Sequence, residues 1–124
     1  MKKNKKFEKW ALTELKKLRT VLLLEDFTPL SIEPSGKKNT SECEVAYPYK
    51  SITIKYSEQV LDDFLKNKKE NAIQVLTHEM CHPITDGLYT KASNRFVSKD
   101  EIEDERERLT DHIANILLKK NERR

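Results

Sequence analysis

The stretch THEMCHPITD, residues 77–86, sets His78 and His82 four positions apart with Glu79 beside the first. The chain has three histidines in 124 residues, and two of them bracket a glutamate in H-E-x-x-H order. On a helix turning about 100° per residue, positions four apart project about 40° from each other, so both imidazoles can reach a single ion. Zinc takes nitrogen, sulfur and oxygen donors in a tetrahedron, and a catalytic zinc keeps one position open for water. Glu79 stands about 100° round from His78, beside such an ion, where its carboxylate can take a proton from water. The chemistry expected is metal-assisted hydrolysis, with His78 and His82 as ligands of Zn2+ and Glu79 as the catalytic base.

Such a site needs a third protein ligand. Thr85 and Leu88 occupy the places of the glycine and histidine in the longer H-E-x-x-H-x-x-G-x-x-H pattern, which excludes it. The acidic stretch EIEDERERLTDHIANILL, residues 101–118, supplies carboxylates instead. Glu107 and Asp111 lie one helical turn apart in E-x-x-x-D order. Glu107 is the expected third metal ligand, and Asp111 the acceptor that fixes the tautomer of a ligand histidine. Glu103 shares a stripe with Glu107 and is the alternative ligand. His112 lies about 140° round from Glu107 and cannot face the same ion with it. Cys81 reads as a packed thiol rather than a ligand. His112, Tyr89 and Arg95 are lesser candidates for steadying an oxyanion.

The pairing of His78-Glu79-x-x-His82 with Glu107-x-x-x-Asp111 resembles the gluzincin metallopeptidases, in which two histidines and a later glutamate hold zinc. ERLTDHIANILL, residues 107–118, is further similar to the second motif of the small ImmA/IrrE-type intracellular peptidases. There a metal-binding glutamate precedes Asn or Asp and an apolar F-A-x-x-L-L run, whose places Ile113, Ala114, Leu117 and Leu118 hold here. The resemblance covers residues 45–118. It implies a one-domain zinc endopeptidase acting on an intracellular protein, with regulators of phages and mobile elements among the substrates of that family. Two departures stand out: Asp86 replaces a histidine common four places after the second ligand, and Pro83 follows His82 directly. HEMCH is also similar to the SprT-like DNA-repair proteases, but nothing here matches their later histidine.

Other elements must position these residues. Phe7, Trp10, Ala11, Leu15, Leu18 and Leu22 recur at helical spacing with lysines between them, which predicts an amphipathic backing helix over residues 5–24. Val45 and Tyr47 alternate before Pro48, and Ile52, Ile54 and Tyr56 after it, predicting two short strands. Residues 50–56 are the candidate edge strand over the cleft, able to take an extended substrate by strand addition. Helices are expected from Glu58 to Leu65 and from about Glu70, the second broken or kinked at Pro83. Residues 87–96 read as a loop. Ser98 and Glu101 form a capping box opening a helix to about Lys120. The fold expected is an α+β mini-zincin in one domain, residues 1–124. It has a basic amphipathic helix within 1–25, a three- or four-stranded sheet, the active helix, the glutamate helix and a frayed tail at 121–124.

Composition narrows the partners. Only two glycines are present, and neither nucleotide-binding glycine motif occurs. The net charge of +3 is unevenly spread: residues 1–20 carry +6 and residues 98–111 carry −4. The basic end reads as a solvated helix face, with nucleic acid as the lesser option. The longest apolar run, Val21 to Leu24, is far too short to span a bilayer, so a cytoplasmic protein with no membrane partner is expected, and the resemblance implies a protein or peptide substrate. Cys43 and Cys81 are expected as free thiols. The rival to an enzyme is a non-catalytic zincin-like domain that binds a regulator or DNA.

Overall fold

A computed structural model describes residues 2–46, 50–94 and 96–122. Four helices and a small mixed sheet follow in the order α1 (Lys2–Val21), β1 (Leu30–Pro34), β2 (Glu42–Ala46), β3 (Ser51–Tyr56), α2 (Glu58–Leu65), α3 (Lys69–Ser93) and α4 (Lys99–Glu122). The α+β expectation therefore holds, with three strands. Tyr47, Pro48, Arg95 and the tail residues Arg123 and Arg124 lie outside the described residues. Among the described residues, no helix is long and apolar enough to cross a membrane.

The helical spacing read in α1 produces its burial. Phe7, Ala11 and Leu15 are fully enclosed, and Phe7 packs edge-on against Tyr56 of β3 and Phe64 of α2. The helix ends where Leu23 takes φ 59°, a left-handed residue that lets the Leu24 amide reach back to the Arg19 carbonyl. In β3, residues alternate so that Ile52, Ile54 and Tyr56 face the helices. The other face meets solvent, where Lys55 bridges Glu44 at 2.6 Å and Glu33 at 3.9 Å.

Strand order is β1-β3-β2, with β1 parallel and β2 antiparallel to β3. This corrects one expectation: residues 50–56 do not form an edge. β3 is the central strand, flanked on both sides, and β2 is the edge strand that neighbours α3. The β1–β2 connection crosses the end of β3, turning at Gly36 with φ 74°, a conformation that favours glycine. Its Lys37 and Lys38 carbonyls accept the amides of Glu58 and Gln59, and Ser57 caps α2 by accepting from the Val60 amide.

A second correction concerns Pro83. The helix expected to end near it continues for ten more residues, so residues 87–93 are helical rather than loop. Proline deletes one helical hydrogen bond and crowds the carbonyl four residues back, yet Met80, Pro83 and Ile84 are all buried, so packing on both sides of the proline outweighs the local penalty. Arg108 of α4 adds a hydrogen bond to the Ile84 carbonyl at 3.3 Å. The N-terminus of α4 follows expectation, since the Glu101 amide donates to Ser98 Oγ at 3.2 Å. Its far end runs past Lys120 to Glu122.

Candidate metal centre

α3 packs against α1, α2, α4, β2 and β3, which fixes its rotation about its own axis. Ala72, Leu76, Met80 and Ile84 point into the core, leaving His78 and His82 on the side that faces β2. Glu79 falls at the border between core and cleft and is only 6% exposed. Side-chain donors of His78, Glu79 and His82 lie within 4.8 Å of one another. The two imidazoles stand nearly perpendicular, 84° apart in plane with centroids 5.0 Å apart, and His82 Nε2 lies 3.8 Å from Glu79 Oε1.

Asp86, one turn beyond His82, completes the geometry. Its Oδ1 lies 3.1 Å from His82 Nδ1. A carboxylate only accepts, so Nδ1 carries the proton and Nε2 of the neutral ring is left with a lone pair on the Glu79 side. Carboxylates behind metal-ligating histidines play this part widely. The donor chemistry fits a divalent ion such as zinc: two imidazoles on one helix face, one of them locked in the ligating tautomer, with a carboxylate beside them.

These residues line a cleft of about 740 Å³ whose other lining includes Glu42 and Cys43 of β2, Ser41 just before it, and Thr85, Tyr89 and Thr90 further along α3. Burial raises the Glu79 carboxyl above its ordinary range, although the neighbouring histidines pull it back. Burial likewise pushes the Cys43 thiol up to about 12, reinforced by Asp86 and Glu79, so Cys43 is an un-ionised neighbour of the group. Both Cys43 and Cys81 are free.

The remaining expected residues lie elsewhere. The face of α4 that meets the body of the protein carries Leu109 and Ile116, which pack on the core, and Glu105 and Arg108, joined by a hydrogen bond of 2.6 Å. Glu107 is two residues from both Glu105 and Leu109, about 200° round the helix. It therefore points outward, two-thirds exposed and paired with Arg106 at 3.5 Å. Glu103 pairs with Lys99, and Asp111 is exposed. The structure thus brings none of Glu107, Glu103 and Asp111 to the His78-Glu79-His82 group. Asp86 stands behind His82 in the position for which Asp111 was expected. Its His82–Asp86 spacing of four is a signal present in the sequence. Tyr89 lines the cleft, whereas His112 is turned away, its Nε2 donating to the Leu22 carbonyl at 2.7 Å.

No family model, curated protein or solved structure matches this chain. The likeness to gluzincins therefore rests on the motif residues, of which His78, Glu79 and His82 form a group within metal-binding distance.

Proposed function

We propose that this protein is a zinc-dependent endopeptidase of the mini-zincin type. The observation that carries the reading is the convergence of His78, Glu79 and His82 at a cleft, with His82 held by Asp86. His78 and His82 Nε2 would hold the ion, and the ion would supply Lewis acidity toward a carbonyl group and toward water. Glu79 accepts a proton from the attacking water and delivers it to the departing amine, roles favoured by a carboxyl that burial holds above its ordinary range. The free edge of β2 offers main-chain donors and acceptors to an extended segment of a protein substrate, such as a regulator of a phage or mobile element.

Metal analysis together with Glu79→Gln tests the reading. The expected outcome is one zinc per chain in both forms, with cleavage of a casein or peptide-library substrate reduced about 10²–10⁴-fold in the variant. Undiminished cleavage by Glu79→Gln would refute the assignment of the base. The outward position of Glu107 favours a second reading, a non-catalytic domain of the same fold that binds a regulator or DNA. Absence of stoichiometric zinc, with no loss of stability on chelation, selects that reading.

A further inference from the structure

The lysines of α1 gather on one side. At about 100° per residue, Lys5, Lys6, Lys9 and Lys16 fall within about 100° of one another, opposite the buried Phe7, Ala11 and Leu15. All four are exposed, and among the described residues none pairs with a carboxylate. Elsewhere in the fold Lys37, Lys50, Lys55, Lys91 and Lys99 each meet an acidic partner. Lys17, at the border of this face, pairs with Glu14.

The fold adds a second basic group that the sequence separates by some fifty residues. Trp10 flanks the lysine face next to Lys6 and lies 5.0 Å from Phe64 of α2. Lys69 Nζ stands 5.6 Å over the Phe64 ring, and Lys66 and Lys68 precede it in the exposed α2–α3 loop. The Trp10–Phe64 contact brings the two groups together, with Glu14 on α1 and Asp62, Asp63 and Glu70 on α2 and α3 as the neighbouring acids. Lys5 to Lys16 spans about 16 Å of helix, the axial length of about five phosphates of one DNA strand. An amphipathic helix that enters a membrane surface needs an exposed apolar face, and the apolar face of α1 is spent in the core.

We propose that α1 and the α2–α3 loop bind the phosphate backbone of nucleic acid without reading its sequence. This inference goes beyond the hydrolase reading and does not rest on it. The test is fluorescence anisotropy of the full chain with a short labelled DNA duplex of arbitrary sequence, titrated between about 50 and 200 mM salt, with and without EDTA. Binding should weaken steeply with salt. The triple variants Lys5→Gln/Lys9→Gln/Lys16→Gln and Lys66→Gln/Lys68→Gln/Lys69→Gln should each flatten the log–log salt slope by up to about 3 and weaken low-salt binding at least about tenfold. Lysine acylation of the wild-type chain supplies a second readout, in which the duplex should protect Lys9, Lys16 and Lys68. No salt-dependent duplex binding, triple variants that bind like wild type, or no protection of these lysines would overturn the proposal, as would capture by phosphatidylserine vesicles without duplex binding.

Discussion

α3 and α4 are helices of nearly equal length, 25 and 24 residues, each carrying one of the two paired motifs, yet they are held differently. Five elements surround α3, whereas α4 rests mainly on α3 and more lightly on α1. Six residues of α3 are buried. On α4 the apolar residues divide: Leu109 and Ile116 pack inward, and Ile113, Leu117 and Leu118 face outward. A motif of ionisable residues acquires fixed geometry only where neighbours determine the rotation of its helix. Glu79 is enclosed beside two histidines, while Glu107 meets solvent and Arg106.

The largest expected contrast is in stability. Met80→Ala removes a fully buried side chain and should cost about 2–5 kcal/mol. Leu117→Ala, at a position 56% exposed, should change stability by less than about 0.5 kcal/mol. Urea unfolding of both variants measures the difference. A comparable cost at Leu117 would mean that something covers the outer face of α4, and the contrast between the helices would fail.

Metal affinity sharpens the contrast next. Asp86→Asn should weaken zinc binding about 10–100-fold, because the amide no longer favours the Nε2-ligating tautomer of His82. Asp111→Asn and Glu107→Gln should leave affinity unchanged, since both residues point away from the group. Competition with a chromophoric chelator reads all three. A loss at Glu107 equal to that at Asp86 would show that α4 turns by about half a revolution when zinc binds.

The same contrast explains what was legible in the residues alone. The backing helix, β3 and α2 follow from local spacing and caps, since burial of Phe7, Ala11, Leu15, Ile52 and Ile54 depends on period and Ser57 caps by its own hydroxyl. The His78-Glu79-His82 group is likewise contained within one turn. Glu107 is different. The E-x-x-x-D spacing states which residues of α4 share a face, but the direction of that face is set by the packing of Leu109 and Ile116 and by the seat of Glu105 against Gly87. Pro83 misled for a related reason, because a local helix-breaking rule was outweighed by tertiary packing. The edge position of β2 depends on strand order, which no alternation of side chains encodes.

Gly87 provides a finer test of what orients α4. A Cβ there would lie 2.3 Å from Glu105 Oε1 and 3.1 Å from Arg108 Nη2, so the glycine leaves the space in which this ion pair sits. Alanine in a helix interior is otherwise favoured over glycine by about 1 kcal/mol. In a Glu105→Ala background, Gly87→Ala should therefore stabilise by about 1 kcal/mol, whereas in the wild-type background displacement of the Glu105 carboxylate should cancel the gain. Equal effects in both backgrounds would show that the carboxylate moves aside without cost and does not set the rotation of α4.

The smallest effect concerns Glu79 in metal-free protein. Burial raises its carboxyl above the ordinary value of 4.5, so the folded state binds this proton more tightly than the unfolded chain does. The stability this contributes is present below the unfolded value and is lost as pH rises through the folded value. Glutamine cannot ionise and escapes that loss. In EDTA, Glu79→Gln should therefore melt at a higher temperature than wild type at about pH 8, with the advantage vanishing near pH 4. Glu107→Gln, exposed on α4, should leave melting temperatures close to wild type at both pH values. A Glu79→Gln curve parallel to wild type across that range would mean that water reaches the carboxylate freely, and that the enclosure distinguishing α3 from α4 does not extend to its base.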